Sequence, residues 1–153
     1  MIDQSAIIET MTGLVLFEIA DQEFCADIRD ISAIVNPAEL NQKENLGMND
    51  NPHVVINNLN IPIVPLHKFF SVELNEKTED QRILIIEPDN SMFGFFVDRV
   101  KEIFTMSKEF KDKLTFVPRT SDKVEEYLTG TINFEGRTLL LPDFQRLLLN
   151  SNK

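Results

Sequence analysis

The stretch Phe93-Gly94-Phe95-Phe96-Val97-Asp98-Arg99-Val100-Lys101-Glu102-Ile103-Phe104 decides how the rest of this chain is read. Phe93, Phe95 and Val97 alternate, so they share one face of a strand. Gly94 lies between two phenylalanines, a place where a missing side chain marks the close approach of another backbone. After Asp98 the apolar spacing changes to Val100, Ile103 and Phe104, which fits a single helical turn or a kinked strand. The chain changes direction at Asp98.

The same pattern occurs earlier. Residues 14–35, LVLFEIADQEFCADIRDISAIV, lie without a gap over residues 83–104, ILIIEPDNSMFGFFVDRVKEIF. Glu18 falls on Glu87, Phe24 on Phe93, Ile28 on Val97, Ile31 on Val100 and Ile34 on Ile103. A second block follows each copy, with residues 57–70, NNLNIPIVPLHKFF, falling on residues 135–148, EGRTLLLPDFQRLL. Two blocks recurring in the same order point to an internal duplication with different loop lengths between the blocks. The competing reading is that any two half-buried hairpins look alike.

At 153 residues the chain is one domain or two small lobes that cannot stand alone. Apolar residues make up 42% and include twelve Phe, enough for a packed core and too many for a disordered chain. The net charge of −10 repels phosphate backbones and anionic lipid, which argues against nucleic-acid binding. No apolar run reaches the roughly 18 residues needed for a membrane span, and the first residues lack a basic segment followed by an apolar one, so a cytoplasmic location is expected. Cys25 lies in a strand pattern beside Phe24 and Ala26, where a lone cysteine reads as a small core filler.

Along the chain, residues 1–12 carry a weak helical stripe of Ile2, Ile7, Ile8 and Met11. Strands are expected over Leu14–Ala20 and Glu23–Ile28, with a tight turn at Asp21-Gln22, and Ile31–Val35 leads away from that hairpin. Residues 38–52 are polar and read as a loop that holds at most one helical turn. Val54–Ile56 and Ile61–Leu66 form the next strands, joined through Asn57-Asn58, two residues that tolerate positive φ. A short helical closure follows at His67–Phe70, and the charged run 71–81 reads as a linker. Beyond it, Ile83–Glu87 and Met92–Val97 repeat the hairpin, 108–122 is an irregular connection with room for an edge strand, and Thr129–Phe134 pairs with Arg137–Leu141 around Glu135-Gly136. Asp143 caps a final short helix. The expected fold is mainly β: two small barrels sharing a core, lobe 1 over about 13–70 and lobe 2 over about 82–149, with short helices at connections and at the C-terminus.

Motifs that carry chemistry are lacking. His53 and His67 have no Cys, His or carboxylate at metal-ligand spacing, the five glycines are scattered rather than forming a phosphate loop, and no nucleophile motif is present. No cofactor, metal or catalytic residue is therefore expected. Asp98 reads as a carboxylate that orients a loop by accepting backbone N–H groups, with direct contact to a partner as the alternative. Ile31, Ile34, Val35, Phe104, Phe110 and Phe116 exceed what two small barrels need, so they either form a protein-binding patch or fill the seam between the lobes.

Three segments carry a resemblance to a known family. Residues 94–100, Gly-Phe-Phe-Val-Asp-Arg-Val, are similar to the Gly-x-x-Val-Asp-x-Val of the CheW-like family, the chemotaxis coupling proteins that join chemoreceptors to a histidine kinase. Residues 62–66, Pro-Ile-Val-Pro-Leu, resemble its Pro-Val-x-Asp-Leu, and Gly130–Phe134 leading to Leu141–Phe144 completes the likeness, which covers nearly all of the chain after residue 13. The resemblance implies two five-stranded SH3-like barrels, no enzymatic activity, and a scaffold in a two-component system. Such a scaffold pairs end to end with the kinase's regulatory domain and presents a groove between its lobes to the receptor's helical tip. The sequence departs from the family where an Arg-Gly would fall on Asn57-Asn58, where the glutamate of Val-x-Glu-Ile is Ala33, and where Pro65 replaces Asp. These changes remove a cation and a carboxylate from the receptor face, so the resemblance implies kinase pairing more directly than receptor coupling.

The resulting assignment is a CheW-like adaptor in chemotaxis signal transduction. It places Ile31, Ile34, Asn57, Asn58 and Leu59 at the receptor-type surface and Ile61, Ile63 and Val64 toward the kinase, and counts Val97 and Asp98, in the segment that the family motif marks, among the partner-binding residues. The alternatives are a CheW-like module in another two-component pathway such as surface motility, a small-ligand sensor that uses the lobe interface as a pocket, and an enzyme built on Asp98 and Arg99.

Overall fold

The computed structural model describes residues 4–39, 53–73, 79–121 and 126–151. The polar loop expected over 38–52 falls largely outside these residues, as do five of the eleven positions of the linker expected over 71–81. The strands are β1 (Gly13–Ile19), β2 (Gln22–Asp27), β3 (Ile31–Val35), β4 (His53–Ile56), β5 (Leu59–Pro62), β6 (Arg82–Ile86), β7 (Phe93–Val97), β8 (Arg99–Thr105), β9 (Leu114–Pro118), β10 (Leu128–Phe134) and β11 (Arg137–Pro142). Four short helices accompany them: α1 (Gln4–Thr10), α2 (Leu66–Phe69), α3 (Lys108–Lys111) and α4 (Phe144–Ser151). The strands are rich in Ile, Val and Phe, residues that suit a pleated, buried surface.

The duplication holds to the register. In the first repeat Leu14 pairs with Asp27, Leu16 with Cys25 and Phe17 with Phe24; in the second, Ile83 pairs with Phe96, Ile85 with Gly94 and Ile86 with Phe93, the same positions of the alignment. The later hairpins match as well: Val54 faces Ile61 and Ile56 faces Leu59, as Ile132 faces Leu139 and Phe134 faces Arg137. Their two-residue turns are alike, with Asn57 and Asn58 at φ 51° and 66° and Glu135 and Gly136 at 50° and 80°. Positive φ at both central residues matches the twist of a hairpin, which is why Asn and Gly stand there.

The sheets do not follow the two chain segments 13–70 and 82–149. β3 from the first repeat pairs with β6 of the second, and β8 from the second pairs with β1 of the first, so each repeat gives its third strand to the other. The registers again coincide: Ile31–Ile86, Ala33–Ile85, Ile34–Leu84 and Val35–Ile83 mirror Val100–Phe17, Glu102–Leu16, Ile103–Val15 and Phe104–Leu14, with an irregularity at the same step. The physical reason is the bend after each hairpin. A 3-10 turn at Ile28–Asp30 and a sharp turn at Asp98 carry the following strand off its own hairpin and onto the other. Residues 31–35 and 99–105 are thus kinked strands, not helical turns. Instead of two closed five-stranded barrels, the pairing gives open sheets of six, three and two strands, in the orders β8-β1-β2-β11-β10-β9, β3-β6-β7 and β4-β5. The β4-β5 hairpin is tied to β7 through Ile63 and Gly94, with the Val64 N–H donating to the Gly94 carbonyl at 2.7 Å. A Cβ on Gly94 would meet the side chains of Ile63, Ile83 and Ile85 at 3.0–3.2 Å, so side chains and not a backbone close the space over this glycine.

Strands β1 and β6 are buried on both faces. Leu14 and Leu16 point into a core with Met11, Cys25, Phe116 and Ile132, while Phe17 and Ile19 point the other way. Ile83 and Ile85 fill a second small core with Val54 and Ile61, while Leu84 and Ile86 meet Phe17 in the seam. The seam is the largest cluster and joins Phe17, Phe24, Phe93, Phe95 and Phe144. Ring centroids lie 5.4 Å apart for Phe17–Phe24 and 5.6 Å for Phe17–Phe95. Burying each such side chain contributes about 1.5–3 kcal/mol. Of the six apolar residues in surplus, Phe116 is buried, and Ile31, Val35, Phe104 and Phe110 pack against cores; among them only Ile34 is exposed. The connection 108–122 contains α3 and the edge strand β9, and Asp143 caps α4 by accepting from the Arg146 N–H at 3.1 Å.

Candidate partner-binding surface

The exchanged strands β3 and β8 both line one groove of about 350 Å³, walled by Ile34 on one side and Arg99, Val100, Lys101 and Glu102 on the other, with Asp80 and Arg82 at its end. Ile34 is 41% exposed and Ile103, its counterpart in the second repeat, 55%. Ile31 is half-buried against the seam core. On β3 the strand pattern explains this, with Ile31, Ala33 and Val35 packed against cores and Ser32 and Ile34 facing out.

The β8 wall is charged and tied to the neighbouring strands. Arg99 pairs with Glu18 at 3.0 Å, and Lys101 bridges Glu18 at 3.5 Å and Glu23 at 3.0 Å. Glu23 also receives the Arg137 guanidinium through two N–H donors. Glu18 and Glu23 are direct cross-strand partners, an arrangement that repels unless cations lie between them, as here. The Arg137 hydrogen bonds, helped by Lys101 and opposed by burial, hold the Glu23 carboxyl at about 2, well below the usual carboxylate range.

Asp98 has the loop-orienting role. Its carboxylate accepts from the Ala20 N–H at 2.6 Å and its own N–H donates to the Glu18 carbonyl at 2.8 Å, which holds the β1–β2 turn, where Ala20 has φ 56°. Asp27 works similarly at the other end of the hairpin, accepting from the Thr12 and Arg29 N–H groups and from the Arg29 guanidinium. Burial pushes the Asp27 carboxyl up, but the Arg29 contacts outweigh it and the group lies below its usual range. Burial pushes the Cys25 thiol up, in keeping with a core filler. Burial, aided by Lys68, lowers His67. Among the described residues no three His, Cys, Asp or Glu side chains are placed to hold a metal ion, and no helix is long and apolar enough to cross a membrane.

The sequence-assigned site residues fall into three groups. Ile34 lines the groove, and Ile31, packed against the seam core, does not. Asn57, Asn58 and Leu59 are exposed at the tip of the β4–β5 hairpin, with Leu59 at 54%, and do not line it. Ile61, Ile63, Val64, Val97 and Asp98 are buried, so their side chains stiffen the hairpin and the β7–β8 turn from inside and do not form a surface. Their burial corrects the reading of them as contact residues: Ile61 and Ile63 pack with Val54 and Ile83, Val64 and Val97 pack in the seam core, and the Asp98 carboxylate accepts from the Ala20 N–H. The residues that the sequence reading missed are Arg82, Arg99, Lys101 and Glu102. The alignment of the repeats carried the signal, since 99–102 stand where Asp30–Ala33 stand in the first copy.

The model of the CheW-like domain matches residues 13–151. The chain belongs to the CheW-like family. The chemotaxis protein CheW of Helicobacter pylori (strain ATCC 700392 / 26695) is 25% identical over 99 residues, which is 61% of this chain and 57% of the relative's own length, so the match spans little more than half of that protein. The crystal structure of the scaffolding protein TtCheW from Thermoanaerobacter tengcongensis superposes with a TM-score of 0.68 over 87% of this chain and 84% of that one at 18% identity, a likeness of fold. The mainly β class and the CheW-like resemblance are both borne out by these matches.

Proposed function

We propose that this protein is a non-catalytic, cytoplasmic adaptor of a chemosensory pathway that holds a histidine kinase's regulatory domain and a chemoreceptor's cytoplasmic tip in one complex. The match to the CheW-like domain over 13–151 carries the reading. The open groove between β3 and β8, with exposed Ile34 beside the fixed charges of Arg99 and Lys101, suits an elongated amphipathic partner better than an enclosed small ligand. On this reading β3 and β8 form the receptor side, with Ile31 and Ile34 as apolar contacts. The β4–β5 hairpin, with Leu59 at its tip and Ile61, Ile63 and Val64 packed behind it, forms the kinase side. With Asn57-Asn58 and Ala33 contributing no charge, the polar contacts to a receptor come from β8. Co-purification with the regulatory domain of a kinase from the same cell tests the proposal. A stable complex is expected, and no complex with any such kinase at tens of micromolar would overturn it.

A further inference from the structure

Three cations line the β3–β8 groove, Arg82, Arg99 and Lys101, and they differ in what they are tied to. Arg99 donates to Glu18 through Nε at 3.1 Å and Nη2 at 3.0 Å, and Lys101 lies between Glu18 and Glu23. Arg82, the first residue of β6, has no carboxylate partner among the described residues. Its Nη1 donates to the main-chain carbonyls of Glu79 and Gln81 at 2.8 and 2.7 Å, which holds the guanidinium in place and leaves the Nε–Nη2 edge open. With that same edge Arg29, Arg99 and Arg137 each take a carboxylate in this molecule. The neighbour of Arg82 in the groove is apolar. Ile34 is the register partner of Leu84, two residues along β6 from Arg82, so Ile34 and Arg82 are diagonal cross-strand neighbours, about 7–8 Å apart at their Cα atoms. Asp80 and Glu102, the other charged lining residues, take part in no ion pair among the described residues.

We propose that Arg82 and Ile34 form a two-point socket for a helix of the partner protein, with a side-chain carboxylate of that helix on the open Nε–Nη2 edge and an apolar side chain one turn away on Ile34. This assignment rests on the receptor-binding reading of the groove and adds what that face selects. Helical residues three or four apart have Cβ atoms about 5–6 Å apart, a spacing that the long arginine side chain and the isoleucine reach together. Two parallel N–H donors match the two oxygens of a carboxylate, so a neutral amide in the same place satisfies less of the fork. Asp80 and Glu102 repel a helix that is acidic along its length, which leaves one carboxylate beside one apolar residue as the matching pattern.

The test uses the full chain, labelled with nitrogen-15, and two alanine-based helical peptides that carry a leucine and, four residues from it, either glutamate or glutamine. The expected result is that amide shifts from the glutamate peptide centre on Ile34, Arg82 and Val100, and that the glutamine peptide binds about threefold more weakly. Arg82→Gln should bring the two peptides to equal affinity, and Arg82→Lys, which keeps the charge without the fork, should restore only part of the difference. Equal affinity of the two peptides for the unaltered chain, shifts centred away from the groove, or a preference for glutamate that survives Arg82→Gln would each overturn the proposal. Titration of a receptor's cytoplasmic tip separates the socket from the coupling role. A tip that binds the unaltered chain and Arg82→Gln equally overturns the socket and leaves the adaptor reading standing, whereas the expected peptide response with no binding of any such tip supports the socket and overturns receptor coupling.

Discussion

Strands β3 and β8 hold the same place in their sheets, with the same partners in alignment and the same kink, yet they present opposite surfaces. β3 offers Ser32, Ala33 and Ile34, apolar or neutral; β8 offers Lys101, Glu102 and Ile103 beside Arg99, with Arg99 and Lys101 tied into a ladder of ion pairs. The lesson is that the duplication constrains what is buried and leaves the outward positions free. Phe17 answers Ile86 and Leu16 answers Ile85 because both must fill a core, whereas Arg99 answers Asp30 and Lys101 answers Ser32 with a change of charge. A binding surface can therefore diverge on one strand while the scaffold beneath both stays symmetric.

The comparison breaks most visibly in the seam. Phe17→Ala and Phe95→Ala should each cost about 3–5 kcal/mol, and because the rings touch, the double variant should cost at least about 0.5 kcal/mol less than the sum. Urea unfolding should show one transition throughout, since each repeat lacks its third strand without the other; two separate transitions would contradict the exchange. Next in size, Ile34→Asp should weaken binding of a receptor tip at least tenfold while changing stability by no more than about 0.5 kcal/mol, as expected of an exposed side chain. Titration calorimetry paired with thermal unfolding separates the two effects.

The charge ladder gives an acid-pH signature, beside that of the Asp27–Arg29 pair at the other end of the hairpin. Because the folded Glu23 carboxyl titrates near 2 against an ordinary 4.5, its stabilisation is complete above about pH 4.5 and is lost as pH falls toward 2. After allowance for solvent screening the effect is about 1 kcal/mol, and Glu23→Gln should remove it, flattening the acid limb of a stability–pH curve. The smallest effect concerns the turns: Asn58→Gly makes the first hairpin match Glu135-Gly136 at a residue with φ 66°, and should stabilise by a few tenths of a kcal/mol. A loss of stability there would show that Asn58 has a contact the second turn lacks.

Much of this was legible in the residues. The period of Phe93–Val97, the glycine between phenylalanines and the paired turns gave strands, close approach and duplication, because each follows from local geometry. The exchange of β3 and β8 was not legible, since a strand's partner depends on where a three-residue bend at Ile28–Asp30 or a turn at Asp98 sends the chain, and no side-chain pattern records that direction. The surface suffered for the same reason. Ile61, Ile63 and Val64 lie on or just after a two-stranded hairpin, where apolar residues face inward as readily as outward, and only packing against Ile83 and Phe95 decides. Glu102, the glutamate that the second copy keeps in Val100-Lys101-Glu102-Ile103, and Arg99 gain meaning as surface charges only when a groove opens beside them.

On the proposed function, the two strand-exchanged repeats make one scaffold whose β3–β8 groove and β4–β5 hairpin engage different proteins. Sedimentation of the full chain with a receptor's cytoplasmic tip and a kinase regulatory domain from the same cell tests it directly. A three-component complex is predicted, from which Ile34→Asp releases the receptor tip and leaves the kinase domain bound. Loss of both partners from that one substitution, or no association of either with the unaltered protein, would contradict it.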